Sequence, residues 1–130
     1  MSNTTNSFRE NVFEYVNKKY KSEIEYLWAK YPEDAIFRNN ENRKWYGIVM
    51  EIPYKKLGIN KDSTVVILNV KIDDIILKDL LIQQDGIFNA YHMKICKWIS
   101  VLLDGSVDIS QIYHLIDLSF AAVSSKTKKK

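Results

Sequence analysis

The chain has 130 residues, 46% hydrophobic and 27% charged, with a formal net charge of +3, the balance of one ordinary domain that buries a core without disulfides or metals. Lys126, Lys128, Lys129 and Lys130 supply four of those charges, so the rest carries a net −1 and any basic patch on the folded part must be local. Cys96 is the only cysteine, which excludes an internal disulfide and a multi-cysteine metal site.

No apolar run nears the roughly 20 residues of a membrane span. The opening MSNTTNSFRE lacks the basic and apolar regions of a secretory signal, so a cytoplasmic address is expected. Residues 1–6 are small and polar and are expected to be disordered. Ser7 with Glu10 forms a capping box, and Phe8, Val12, Val16 and Tyr20 recur at helical spacing, which predicts a first helix over residues 7–21.

Residues 22–34 are aromatic-rich and end in Tyr31-Pro32-Glu33-Asp34, a connector expected to pack Tyr26, Leu27 and Trp28 over the core edge. Ala35–Arg38 reads as a short strand, residues 39–42 as a hairpin turn, and residues 44–52 as the return strand, ended by Pro53. Residues 54–58 read as a single helical or turn-like excursion. Residues 64–72, rich in β-branched side chains, are the clearest strand.

Asp73 is a candidate cap for a helix whose buried stripe is Ile76, Leu77, Leu80 and Leu81. Asp85-Gly86 then turns the chain into a stretch leading to a strand over residues 97–103. Asp108 and Gln111 cap a closing helix with Ile109, Ile112, Ile116, Phe120 and Val123 on its inner face. The order helix, three strands, helix, strand, helix predicts an α+β domain over residues 7–123. Its curved antiparallel sheet has about four strands, with the helices packed on one face in two layers. Residues 124–130 form a lysine-rich tail expected to be disordered.

Side chains alternate across a strand. The uniformly apolar sets, Tyr46, Ile48, Met50; Val66, Leu68, Val70; and Ile99, Val101, Leu103, are expected under the helices. The opposite sets hold Trp45, Asn69, Lys71, Trp98 and Ser100 on a face with no obvious covering layer. Such a face is either a contact surface for nucleic acid or protein, or is covered by the connector.

Several phrases resemble the MmcQ/YjbR family of small bacterial proteins. They are Phe37-Arg38 before Lys44-Trp45-Tyr46, Asn69-Val70-Lys71, Ala90-Tyr91-His92-Met93 with Trp98-Ile99, the turn Leu103-Asp104-Gly105, and Ser119-Phe120. The resemblance implies the fold class of frataxin-like (CyaY-like) proteins and a double-wing arrangement proposed to bind DNA. Family members commonly carry a polar, basic run with histidine before the tryptophan, whereas Lys94-Ile95-Cys96-Lys97 stands here.

His92 is a candidate base or ligand, but a histidine between aromatic and apolar residues more often fixes a loop. Cys96, without a third ligand nearby, reads as packed core. His114 and Asp117 read as local surface structure. The glycines are scattered and form no phosphate loop, and no nucleophile elbow is present. We therefore expect a non-enzymatic protein with no cofactor. The candidate nucleic-acid-binding residues are Arg38, Arg43, Lys44, Trp45, Asn69, Lys71, Tyr91, His92, Lys94, Lys97 and Trp98, the cations on phosphates and Asn69 or His92 near base edges. The expected partner is DNA, with a protein or small ligand on the aromatic face as the alternative, no membrane, and a monomer or weak dimer.

Overall fold

A computed structural model describes residues 7–90 and 97–124. The first helix, α1 (Phe8–Tyr20), starts where the Ser7 hydroxyl accepts from the Glu10 N–H and stops where Lys21 turns left-handed (φ 61°). Val12 and Val16 are its buried residues, as the spacing requires.

Strand β1 (Ala35–Arg38) pairs with β2 (Trp45–Pro53), and a 3₁₀ turn (Tyr54–Leu57) leads to β3 (Thr64–Lys71). Helix α2 (Ile75–Leu81) and a three-residue strand β4 (Ile87–Asn89) precede β5 (Trp98–Leu102) and the closing helix α3 (Ile109–Ser124). The sheet order is β1-β2-β3-β5-β4, every pairing antiparallel. There are thus five strands where the sequence predicts about four. Ile87-Phe88-Asn89 is too short for its alternation to register, yet it pairs with Ile99–Val101 in the middle of β5.

Helices α1 and α3 lie together over one face of the sheet. Val12, Val16, Ile112, Leu115, Ile116 and Val123 meet Phe37, Tyr46, Val49, Leu68, Val70, Ile99 and Val101 in one core. Stacked rings join the helices, Tyr15 on Tyr113 (centroids 4.1 Å apart) and Tyr20 on Phe120 (3.8 Å). Between them Asp117 accepts from Tyr20 (2.6 Å), Tyr15 (2.8 Å) and Lys19 (3.1 Å). The Asp117 carboxylate is therefore committed to α1 rather than to a local pairing with His114.

Three expectations about helix α2 and strand β2 are corrected. Helix α2 is capped by Asp74, whose carboxylate accepts from the N–H groups of Ile76 and Leu77, and not by Asp73. That helix also turns a different stripe inward. Leu81 and Lys78 are buried and Leu77 is half-buried, while Ile76 and Leu80 are 74% and 58% exposed. Its five apolar residues offer two possible faces. The choice is set by Lys78, whose ammonium reaches the Asn89 side chain of β4 at 2.7 Å, a strand the pattern does not reveal.

The third correction concerns β2. Register shifts between Phe37 and Arg38, so that Phe37 faces Gly47 while Arg38 faces Trp45, leaving Tyr46 as an extra residue. This bulge inverts the alternation beyond it. Tyr46 and Val49 join the helix-side core, but Ile48 and Met50 lie on the opposite face with Trp45 and Trp98. Glycine at 47 permits the bulge because the Phe37 ring lies over it, 2.0 Å from where a Cβ would stand.

That opposite face is not bare. Trp28 packs on Ile36, Ile48, Trp98, Trp45 and Met50 at one end, and Tyr54, Leu57 and Ile59 cover Ile52, Val65, Ile67 and Leu102 at the other. Of the connector's aromatic and apolar trio only Trp28 packs inward; Tyr26 and Leu27 are exposed.

Candidate nucleic-acid interface

The antiparallel order sets the C-terminal ends of β1, β3 and β4 beside the starts of β2 and β5. Arg38 faces Trp45 and Lys71 faces Trp98 in register, so two cation–indole pairs sit at one end of the sheet on one face. Arg43 and Lys44 follow from the β1–β2 turn, and Lys97 precedes Trp98. The structure thus brings together Arg38, Arg43, Lys44, Trp45, Lys71, Lys97 and Trp98. Tyr91, His92 and Lys94, like Cys96, fall outside the described residues.

Asn39 builds the turn. Its side-chain oxygen accepts from the Glu41 N–H (2.8 Å), its amide donates to Ser124 Oγ (2.8 Å), and Asn42 donates to the Val123 carbonyl (3.0 Å). The end of α3 is therefore fastened to the turn that carries Arg43 and Lys44. Arg43 itself stands in the left-handed region (φ 64°).

The cations are partly engaged. Arg38 Nε donates to both oxygens of Glu25 (3.2 and 3.0 Å), Arg43 Nη2 reaches the same Glu25 Oε2 at 3.2 Å, and Arg38 Nη1 donates to the Arg43 carbonyl. The Arg38 guanidinium also lies over the Trp45 ring, 5.8 Å from its centroid, and Trp28 abuts Trp45 edge-on at 6.0 Å. Glu25 is held in place by its backbone, which exchanges two 2.9 Å hydrogen bonds with Ile36 on the outer edge of β1. Lys97 pairs with Asp73 at 3.5 Å, whereas Lys44 is exposed.

Two candidates have no reach to a duplex. Asn69 is 0% exposed and accepts a 2.5 Å bond from Ser100 on β5, and Trp98 is 6% exposed within the Trp28 cluster. An enclosed amide reads no base edge and an enclosed indole stacks on no base, so these two are better understood as supports for their neighbours.

Sequence reasoning missed Glu25 and Lys21. With Glu23, Arg38, Asn40 and Arg43 they line a depression beside the turn. Their only signal in the sequence is charge near the end of a predicted helix, which is common on any surface.

A three-helix layer over an open, five-stranded antiparallel sheet, with basic residues gathered at one end, defines a small α+β domain of the helix-on-sheet class. The chain belongs to the YjbR family, whose sequence profile it matches over residues 17–122. It is 38% identical to the Bacillus subtilis (strain 168) protein YyaQ over 112 residues, 86% of this chain and 94% of that protein. Among solved structures, a Pseudomonas syringae protein superposes in its crystal form with a TM-score of 0.83 at 38% identity, covering 88% of this chain and 97% of that one. Deinococcus radiodurans protein DR2400, a DUF419 domain, shares the fold at 18% identity, with a TM-score of 0.71 over 95% of this chain and 83% of its own.

Proposed function

We propose that this protein is a non-catalytic DNA-binding domain that grips the phosphate backbone with the end of its sheet. The observation carrying the reading is the gathering of Arg38, Arg43, Lys44, Lys71 and Lys97 at one end, with Trp45 between them. Ser124, tied to Asn39, is the residue from which the four C-terminal lysines continue in sequence. The carboxylates of Glu25 and Asp73 offset part of this charge, so binding is weak and strongly dependent on salt.

Fluorescence anisotropy with a labelled generic duplex, at low and moderate salt, tests the reading on the full chain and on a version ending at Ser124. Binding that survives removal of the tail and falls in Lys44→Ala and Lys71→Ala supports it. No binding at low salt, or binding by the tailed chain alone, removes it.

A protein partner is the second reading, favoured by Ile75, Ile76 and Leu80, which project from α2 at 51%, 74% and 58% exposure. Amide exchange in α2 that is the same in buffer and in a concentrated cell extract would count against it.

A further inference from the structure

We propose that Glu25 occupies, from within the chain, the seat of a nucleic-acid phosphate, and so restrains binding at the sheet end; this rests on the DNA-binding reading above. Two guanidiniums converge on one carboxylate oxygen, Arg38 Nε at 3.0 Å and Arg43 Nη2 at 3.2 Å from Glu25 Oε2. Arginine forks match carboxylate and phosphate oxygens alike, and a group bridging two of them is the arrangement both anions favour.

The seat is built before any ligand arrives. Arg38 is fixed between the Trp45 ring and Glu25, and it also bonds the Arg43 carbonyl. Its side chain keeps 24% exposure and that of Arg43 58%, so the pair faces an open depression. Lys21 stands on the rim as a third cation. Asn40 holds that rim by donating to the Lys21 carbonyl at 3.0 Å. Among the described residues, Arg38 Nη2 makes no hydrogen bond, which leaves a donor for an incoming oxygen.

Glu25 sits on an irregular segment rather than in the sheet. Its two backbone bonds to Ile36 hold the main chain while leaving the carboxylate on side-chain torsions. A backbone phosphate therefore takes the seat by displacing a side chain, with no change of fold. In the free protein Glu25 keeps the two arginines paired; in the complex it is a like charge beside the phosphate.

The experiment is a salt titration of duplex binding by the full-length protein and by Glu25→Gln and Arg43→Gln, with folding of each checked by circular dichroism and thermal melting. Neutralising Glu25 is expected to tighten binding and steepen the dependence of log K on log salt by about 0.9, the value of one added phosphate contact. Arg43→Gln, an exposed position, is expected to weaken binding and flatten that slope by a similar amount. Glu25→Gln that binds no more tightly than the natural chain, while folded, overturns the inference. If the natural chain binds and both variants match it, this inference alone fails; if neither the natural chain nor Glu25→Gln binds, the DNA-binding reading fails with it.

Discussion

The hydroxyl of Ser119 on α3 donates to the carbonyl oxygen of Tyr46, 2.7 Å away on β2. The Ser119 hydroxyl oxygen in turn accepts from the Lys71 N–H on β3 at 2.8 Å. Pairing between these strands ends at Ile48 and Asn69, and the register continued two residues further would set Tyr46 opposite Lys71. One buried hydroxyl thus splices a ladder that the bulge interrupts, and it holds Lys71 at the basic end.

Ser119→Ala should leave a buried carbonyl and a buried N–H to be satisfied elsewhere. Its expected cost is ~1–3 kcal/mol, with no change in helix content. Chemical denaturation of the variant against the natural chain measures it, and a loss under ~0.5 kcal/mol would mean that the strands close up without the splice.

Gly47→Ala should be costly for a steric reason, since the new methyl carbon meets the Phe37 ring at 2.0 Å. The ring is itself fully buried, so it has little room to move. Overpacking of this kind costs ~1–3 kcal/mol, and a truncated ring in Phe37→Leu/Gly47→Ala should recover part of it. A thermal melt of the single and double variants decides the point.

The Asp117 node sets an acid limb. Burial pushes the Asp117 carboxyl up, but hydrogen bonds from Tyr20, Tyr15 and Lys19 outweigh it and hold the group below the ordinary carboxylate value. A depressed folded-state value means that the contribution is complete above the unfolded value near ~4 and is lost as pH falls through the folded one. Asp117→Asn should therefore destabilise the protein at pH 7 by about 1–2 kcal/mol and flatten the decline of stability below about pH 4. Urea midpoints from pH 2 to 7 test both, and an unchanged acid limb would exclude Asp117 as its source.

The orientation of α2 is testable with two substitutions of opposite expectation. Leu81→Ala opens the core and should cost ~2–4 kcal/mol. Ile76→Lys, on the solvent side, should change stability by less than about 0.5 kcal/mol. The reverse ranking would restore the stripe that includes Ile76.

How far the sequence carried depended on whether one local period governed a segment. Helix α1 is legible because Phe8, Val12 and Val16 answer to helical spacing after a cap, and strand β1 because Ala35 to Arg38 is a short, mostly apolar run before a polar turn. The bounds of strand β2 follow from its pattern, but the face of its far half does not. The inversion depends on one extra residue at Tyr46 that only a partner strand reveals. The inward face of helix α2 is not legible, because the choice between its two apolar stripes rests on Lys78 meeting Asn89.

The clustering of Arg38, Arg43, Lys44, Lys71 and Lys97 was legible from strand order alone. The burial of Trp98 follows the alternative in which the connector covers that face, through Trp28, whereas the enclosure of Asn69 against Ser100 on β5 is not readable from its own strand. Nor was Glu25, whose meaning arises only when Ile36 fixes it beside two arginines.

Helix α1 rests on α3 through the Tyr15–Tyr113 stack and the Asp117 node, so a helix made early takes its helical partner from one made about a hundred residues later. During translation the sheet is complete before α3 emerges, with its Phe37, Leu68 and Val101 face half-roofed. A nascent chain halted before residue 109 therefore displays a greasy surface to holding chaperones, and the sixteen-residue α3 closes it.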